Sequence, residues 1–209
     1  DRTGTGCYSL FGHMMRFDLS KGFPVVTTKK VNISNVIGEL LFFTSGKTDL
    51  PSLRRYSDKA KDSHTIWSED FNKFWEAKVK ADPCRYDLNH PDQNLGAIYS
   101  QQWRAFHIGD TYEGHRISHD QITTLIDNIK DVVGGNHRQA RRLIVTAWNP
   151  YDHTVGEKVT CALSSCHDSF QCIVRNGKLN LRFHVRSNDV FLGCPYNIAF
   201  YAAMCHVLA

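Results

Sequence analysis

The stretch from Tyr196 to Leu208 constrains this chain more than any other, because only Asn197 and His206 in it carry strongly polar side chains. A helix that is apolar nearly all round has no face to offer water, so other elements must sheathe it on several sides. It is also too short to cross a bilayer, which takes roughly 18 to 20 apolar residues. The fold must therefore close around one central helix. With 209 residues, 42% hydrophobic and 22% charged, the chain has the size and balance of a globular protein. One domain over 1–209 with a single core is expected.

The remaining patterns supply the sheath. Ile33, Val36, Ile37, Leu40 and Leu41 recur at three-and-four spacing and predict a helix from Asn32 to Phe43, ending near Gly46. Ile122, Leu125, Ile126 and Ile129 predict a second helix from His119 to Val133. Alternation predicts strands over His13–Leu19, with Met15, Phe17 and Leu19 on one side, and over Leu179–Val185, with Leu181, Phe183 and Val185 on one side. Arg142–Trp148 and Phe170–Val174 read as further strands. The polar stretch 47–94 carries Pro51, Pro83 and Pro91, with Trp67, Phe71, Phe74 and Trp75 as aromatic anchors, and is expected to form short helices and loops as a variable insertion. Strands interspersed with helices give an α+β class.

The net charge of +4 fits an anionic small ligand or a weak nucleic-acid contact without choosing between them. Seven cysteines, an odd number without CxxC spacing, and no signal peptide point to reduced thiols in a cytoplasmic protein. The chain starts at Asp1 and stops inside an apolar run, so both ends read as cut.

Three patterns carry chemistry. In Ser164-Ser165-Cys166-His167-Asp168 a thiol follows small polar residues and precedes an imidazole; it is either a small buried apolar residue or a nucleophile. Arg2, the pair Arg141-Arg142 and Arg186 are either solvated surface charges or, if they converge, a clamp for a phosphate dianion that also favours a nearby thiolate. In Asp189-Val190-Phe191-Leu192-Gly193-Cys194-Pro195-Tyr196-Asn197 a carboxylate and a carboxamide bracket an apolar turn, as in a pocket for a flat heterocycle, or else they cap and terminate structure.

Together these patterns resemble the thymidylate synthase family. Asp1-Arg2-Thr3-Gly4-Thr5-Gly6, Phe11-Gly12, Gly22-Phe23-Pro24, Thr27-Thr28-Lys29, Glu39-Leu40-Leu41, Ile66-Trp67 and Tyr99 all stand in the family's order. So do Gln102-Trp103-Arg104, Asp120-Gln121, Arg141-Arg142, Ala147-Trp148-Asn149, Cys166-His167 and Arg186-Ser187 through Asn197. The resemblance implies a fold with a mixed β-sheet at a homodimer interface and helices on the other face. It implies no metal, with dUMP as substrate and 5,10-methylenetetrahydrofolate as the one-carbon donor.

By that resemblance Cys166 is the nucleophile, Glu39 organises water and proton transfer at the uracil carbonyl, Tyr99 is associated with removal of the carbon 5 proton, and His167 lines the pocket. Arg2, Arg186, Ser187 and Asn188 would bind substrate, and Arg141 and Arg142 would reach in from the other subunit. Asn197 would read the pyrimidine edge, its amide matching uracil. Asp189 would touch both nucleotide and pterin, and Trp67, Leu192, Gly193 and Tyr196 would pack on the folate. Several residues depart from the family pattern: Ser165 stands where Pro is usual, Asp168 where a small or apolar residue is common, and Val185 where Gln is usual. Asn32 and Asp70 stand where bacterial members often have His and Trp. The resemblance puts reductive methylation of dUMP to dTMP first, with hydroxymethylation of dUMP as the close rival and an RNA-binding or inactive paralogue as the remote one.

Overall fold

The computed structural model describes residues 4, 6–57, 64–84, 86, 93–153 and 160–209. Its centre is the apolar helix α6 (Cys194–Leu208), which starts with Pro195 in the first turn, where its missing N–H costs nothing. Tyr201 stacks on Phe183 of strand β5 (Lys178–Val185) at 4.1 Å between ring centroids and leans on Phe170 of β4 (His167–Arg175) at 5.8 Å. Next along the helix, Phe200 meets Phe43 of α1 (Ile33–Ser45) at 5.6 Å and Trp103 of α4 (Tyr99–Arg104) at 6.2 Å. Sheet and helices thus sheathe α6, as its all-round hydrophobicity required.

Helix α1 begins where the Asn32 side chain accepts from the Asn35 N–H and ends at Gly46 in the left-handed conformation, φ 77°. The departure at Asn32 therefore has a local role as a cap. Val36, Leu40, Phe42 and Phe43 are buried, whereas Ile33, Ile37 and Leu41, predicted on the same face, remain 40–47% exposed. The helix meets its neighbours along the Val36–Leu40–Phe43 line, which leaves those three at the rim. At Gly38 an added Cβ would lie 2.6 Å from Ser57 Cα, so the end of α2 (Leu50–Tyr56) packs directly on the α1 backbone.

Within 47–94 the described residues form α2 and α3 (Ser68–Ala81), and Trp67, Phe71, Phe74 and Trp75 are all buried, as anchors should be. The second predicted helix is α5 (Gln121–Val133), capped by Asp120. The hairpin of β1 (Phe106–Asp110) and β2 (Arg116–His119) is an element the sequence patterns did not suggest. The strand expected over His13–Leu19 does not form: only a 3-10 turn at Leu19–Lys21 is regular there, and Met14, Met15 and Phe17 are exposed. Alternation makes a segment fit for a sheet but cannot supply a pairing edge, and no described strand pairs with this one.

Strands β3 (Ile144–Thr146), β4 and β5 form one sheet in that order. Every strand pair among the described residues is antiparallel, so the mixed character expected of the sheet is not seen among them. The α+β class is as expected. Between His167↔Val185 and Ser169↔His184 the ladder slips, so Asp168 is an extra residue on β4. No helix among the described residues is long and apolar enough to cross a membrane.

Candidate active site

Cys166 lies immediately before β4 and is partly exposed, unlike Cys161, Cys172, Cys194 and Cys205, which are buried. Burial pushes the Cys161 thiol up to about 11 and the Cys172 thiol up to about 12, so neither supplies a thiolate near neutral pH. Cys7 and Cys84 are exposed, and Cys166 is the one thiol of intermediate burial. Its loop is held from two sides. The Cys166 N–H donates to the Tyr99 hydroxyl at 2.7 Å, and its carbonyl accepts from the Arg186 N–H at 2.9 Å.

The side chain of Arg186 turns back onto the same loop. Its Nε donates to the Ser165 carbonyl at 2.8 Å and Nη2 to the Ser164 carbonyl at 3.4 Å, while its guanidinium lies 5.1 Å from the Trp148 ring centre. A positive charge on an exposed residue is thus tied to the two carbonyls that precede Cys166 in its loop. Ser165, standing where proline is usual, is buried and donates through its hydroxyl to the Ala147 carbonyl at 3.1 Å. The polar side chain replaces the rigidity of a ring with a tie to the end of β3.

Behind Cys166 lies a layer of aromatic and acidic groups. His167 stacks on Tyr99 at 4.0 Å and 12°, and its Nδ1 is 2.7 Å from the Tyr201 hydroxyl. Desolvation holds its pKa down at about 3, so the imidazole is neutral at physiological pH. Burial also pushes the Tyr99 phenol well above its ordinary value of 10, which keeps it a neutral hydroxyl. Glu39, on the inner side of α1, accepts from the Trp67 indole N–H at 3.0 Å. Burial raises its carboxyl above the ordinary 4.5, with the Trp67 hydrogen bond working against that rise.

The 187–197 segment forms the rim. Ser187, Asn188 and Asp189 are exposed. The Asp189 carboxylate accepts from the Phe191 and Leu192 N–H groups at 2.9 and 2.7 Å, and its carbonyl from those of Gly193 and Cys194, so the turn-forming role weighed from sequence is present. Asn197 donates through Nδ2 to Asn188 Oδ1 at 3.3 Å. Leu192 is exposed and Tyr196 half-buried. Lys29, noticed in the sequence only as part of a motif run, donates to the Phe191 and Leu192 carbonyls at 3.0 and 3.2 Å and sits over the Phe191 and Tyr196 rings. Nothing in the local sequence distinguishes it from Lys30; the tie is made across 162 residues.

The fold therefore brings together Cys166, Tyr99, His167, Glu39, Trp67 and Arg186, with the Asp189–Asn197 rim attached through α6. Trp67, expected against a folate, is 5% exposed and is edge-on to Tyr99. Arg2 lies outside the described residues. Arg141 and Arg142 are exposed ahead of β3, where Arg142 Nη1 donates to the Arg138 carbonyl at 3.4 Å, and no described contact joins them to Cys166.

A part-exposed thiol on a loop that a guanidinium holds, with a neutral imidazole, a phenol and a carboxyl behind it, is chemically suited to nucleophilic attack on an anionic substrate with proton transfers close by. The chain belongs to the thymidylate synthase family, whose pattern matches residues 1–209. The crystal structure of thymidylate synthase from T4 phage is similar at a TM-score of 0.75 and 42% sequence identity, over 100% of this chain and 63% of that one. The present chain thus spans less than two thirds of the length of the phage protein.

Proposed function

We propose that this chain forms the catalytic domain of a cytoplasmic thymidylate synthase, which transfers and reduces a one-carbon unit from 5,10-methylenetetrahydrofolate to carbon 5 of dUMP, giving dTMP and dihydrofolate. Cys166 acts first. Its thiolate bonds to carbon 6 of the uracil, and the displaced electron pair makes carbon 5 nucleophilic. Carbon 5 then bonds to the donor's methylene, loses its proton and expels the folate nitrogen. The co-substrate finally supplies a hydride to the exocyclic methylene as the sulfur departs.

The other residues bind and orient. Arg186, Ser187, Asn188 and Arg2 hold the nucleotide, and Arg141 and Arg142 serve the phosphate site of a partner subunit across the outer face of the β3–β4–β5 sheet. That explains why they sit apart from Cys166 in their own chain. Asn197 reads the pyrimidine edge. Glu39 and its Trp67 partner organise water and proton transfer at the uracil carbonyl, Tyr99 assists removal of the carbon 5 proton, and neutral His167 lines the pocket. Asp189, Leu192, Gly193 and Tyr196, with Trp67 behind them, receive the folate.

The observation that carries this reading is the Arg186 guanidinium bonded to the carbonyls of Ser164 and Ser165, on the same loop as the part-exposed Cys166. It supports an anionic substrate held against a thiol nucleophile. The test is to incubate the full-length protein with dUMP and methylenetetrahydrofolate and to identify the nucleotide by mass. We expect dTMP; 5-hydroxymethyl-dUMP as the major product would instead assign the protein to hydroxymethylation, in which water rather than hydride adds to the last intermediate.

A further inference from the structure

His167 and Phe170 are three positions apart, yet both rest on Tyr201, at 5.4 and 5.8 Å between ring centroids. In a regular strand, residues an odd number apart point to opposite faces. The extra residue at Asp168 resolves the contradiction, because it shifts the pleat by one between His167↔Val185 and Ser169↔His184. Without it, either His167 would leave Tyr99 and Tyr201, or Phe170 and Cys172 would leave the core. The bulge therefore sets the angle at which Cys166, two residues earlier, departs from the sheet.

Asp168 fixes that bulge with both its backbone and its side chain. Its carbonyl accepts from the Ala147 and Trp148 N–H groups at 2.7 and 3.2 Å and from the Thr146 hydroxyl at 3.3 Å, tying it to the end of β3. Its Oδ2 lies 2.7 Å from His184 Nδ1 on β5, and its Oδ1 accepts from the Ser169 hydroxyl at 2.9 Å. His184 is the residue opposite the slip. The Asp168 side chain is only 20% exposed and the His184 side chain 69%, so the pair closes the outer side of the bulge. Trp148, anchored by the Asp168 carbonyl, in turn carries the Arg186 guanidinium.

We propose that the Asp168–His184 pair is a positioning device: it locks the bulge that holds Cys166 and, through Trp148, Arg186 in working register. Asp168 touches no substrate in this scheme and acts through its neighbours. The inference rests on the reading of Cys166 as the nucleophile, and its test has one arm that needs no nucleotide.

In the full-length protein, Asp168→Ala lowers kcat for dUMP about tenfold with the dUMP KM held within about twofold, because register rather than binding is lost. Asp168→Asn, which keeps an oxygen acceptor for His184 Nδ1, stays within about twofold of the parent. Alkylation of Cys166 by iodoacetamide, followed on its own peptide by mass spectrometry, rises about threefold in Asp168→Ala and not in Asp168→Asn, since a loosened loop exposes the thiol while spoiling its aim. Should Asp168→Ala fail to fold, His184→Ala, which removes the partner of the carboxylate and leaves the Asp168 backbone ties in place, carries the same expectations, with the oligomeric state checked to match the parent's. Alkylation and turnover equal to the parent in the alanine variant, or an Asn variant as impaired as Ala, would overturn the proposal. A parent protein that never turns over dUMP would sink the functional reading alone, leaving the alkylation arm to judge the pair.

Discussion

The hydroxyl of Tyr99 accepts the backbone N–H of Cys166 at 2.7 Å and lies 3.4 Å from that of His167. A side chain on a short helix thus fixes the backbone of the loop that carries the thiol, across 67 residues of sequence. Replacing it with Phe leaves the ring stacked on His167 but strands the Cys166 N–H. Tyr99→Phe is expected to destabilise the fold by about 1–3 kcal/mol, the cost of an unpaired buried donor, and to lower kcat more than it raises the dUMP KM. Urea unfolding and steady-state kinetics on the same preparation check both; an unchanged stability would mean that water replaces the phenol there.

The neutral His167 makes a stability prediction with a definite sign. Its folded pKa of about 3 is below the ordinary 6.5, so between those values the unfolded chain binds the proton and the folded one does not. The contribution is therefore complete above about pH 6.5 and declines as pH falls toward 3, with a slope of at most about 1.4 kcal/mol per pH unit. His167→Gln is expected to flatten the acid side of a stability–pH curve measured by denaturant unfolding. A curve as steep as the parent's would show that another group governs it.

Trp67 opposes the effect of burial on Glu39 by donating to its carboxylate. Trp67→Phe removes the donor and keeps most of the apolar bulk, so the Glu39 pKa rises further. The acid limb of the kcat–pH profile is then expected to move to higher pH. A profile that superimposes on the parent's would disconnect Glu39 from turnover.

Asn197 donates to Asn188 Oδ1, which leaves its own carbonyl oxygen and second N–H for a pyrimidine edge. Asn197→Asp is expected to shift the ratio of kcat/KM for dCMP over dUMP upward by about tenfold or more, since a carboxylate accepts from the cytosine amine and rejects the uracil carbonyl. Unchanged discrimination would mean that the base is read elsewhere.

Much of this was legible in the sequence, and what was not has physical causes. Periodicity located α1 and α5 and alternation located β5, because each faces one side of a core that its own spacing records, while the nearly unbroken apolar run located α6. The same alternation misled at His13–Leu19, where no partner edge is present among the described residues, and the β1–β2 hairpin passed unseen because Phe106–Asp110 holds only two apolar side chains and Arg116–His119 one, runs too short to read as strands. The Cys166, His167, Glu39, Tyr99 and Arg186 cluster was legible only through the resemblance to a family, since no spacing rule connects residues that far apart. Asp168 was visible as a departure, but its meaning required the register of β4 against β5. Lys29 and the Asn188–Asn197 contact were likewise products of the tertiary fold.

The central claim is that the Cys166 sulfur bonds covalently to the pyrimidine during turnover. Rapid denaturing quench of the full-length protein with dUMP and methylenetetrahydrofolate, followed by peptide mass spectrometry, tests it directly. The account predicts a nucleotide adduct on the Cys166 peptide, absent from Cys166→Ala, which also loses turnover while still binding dUMP. A nucleotide adduct on any other residue, or a Cys166→Ala variant that turns over near the parent rate, would contradict it.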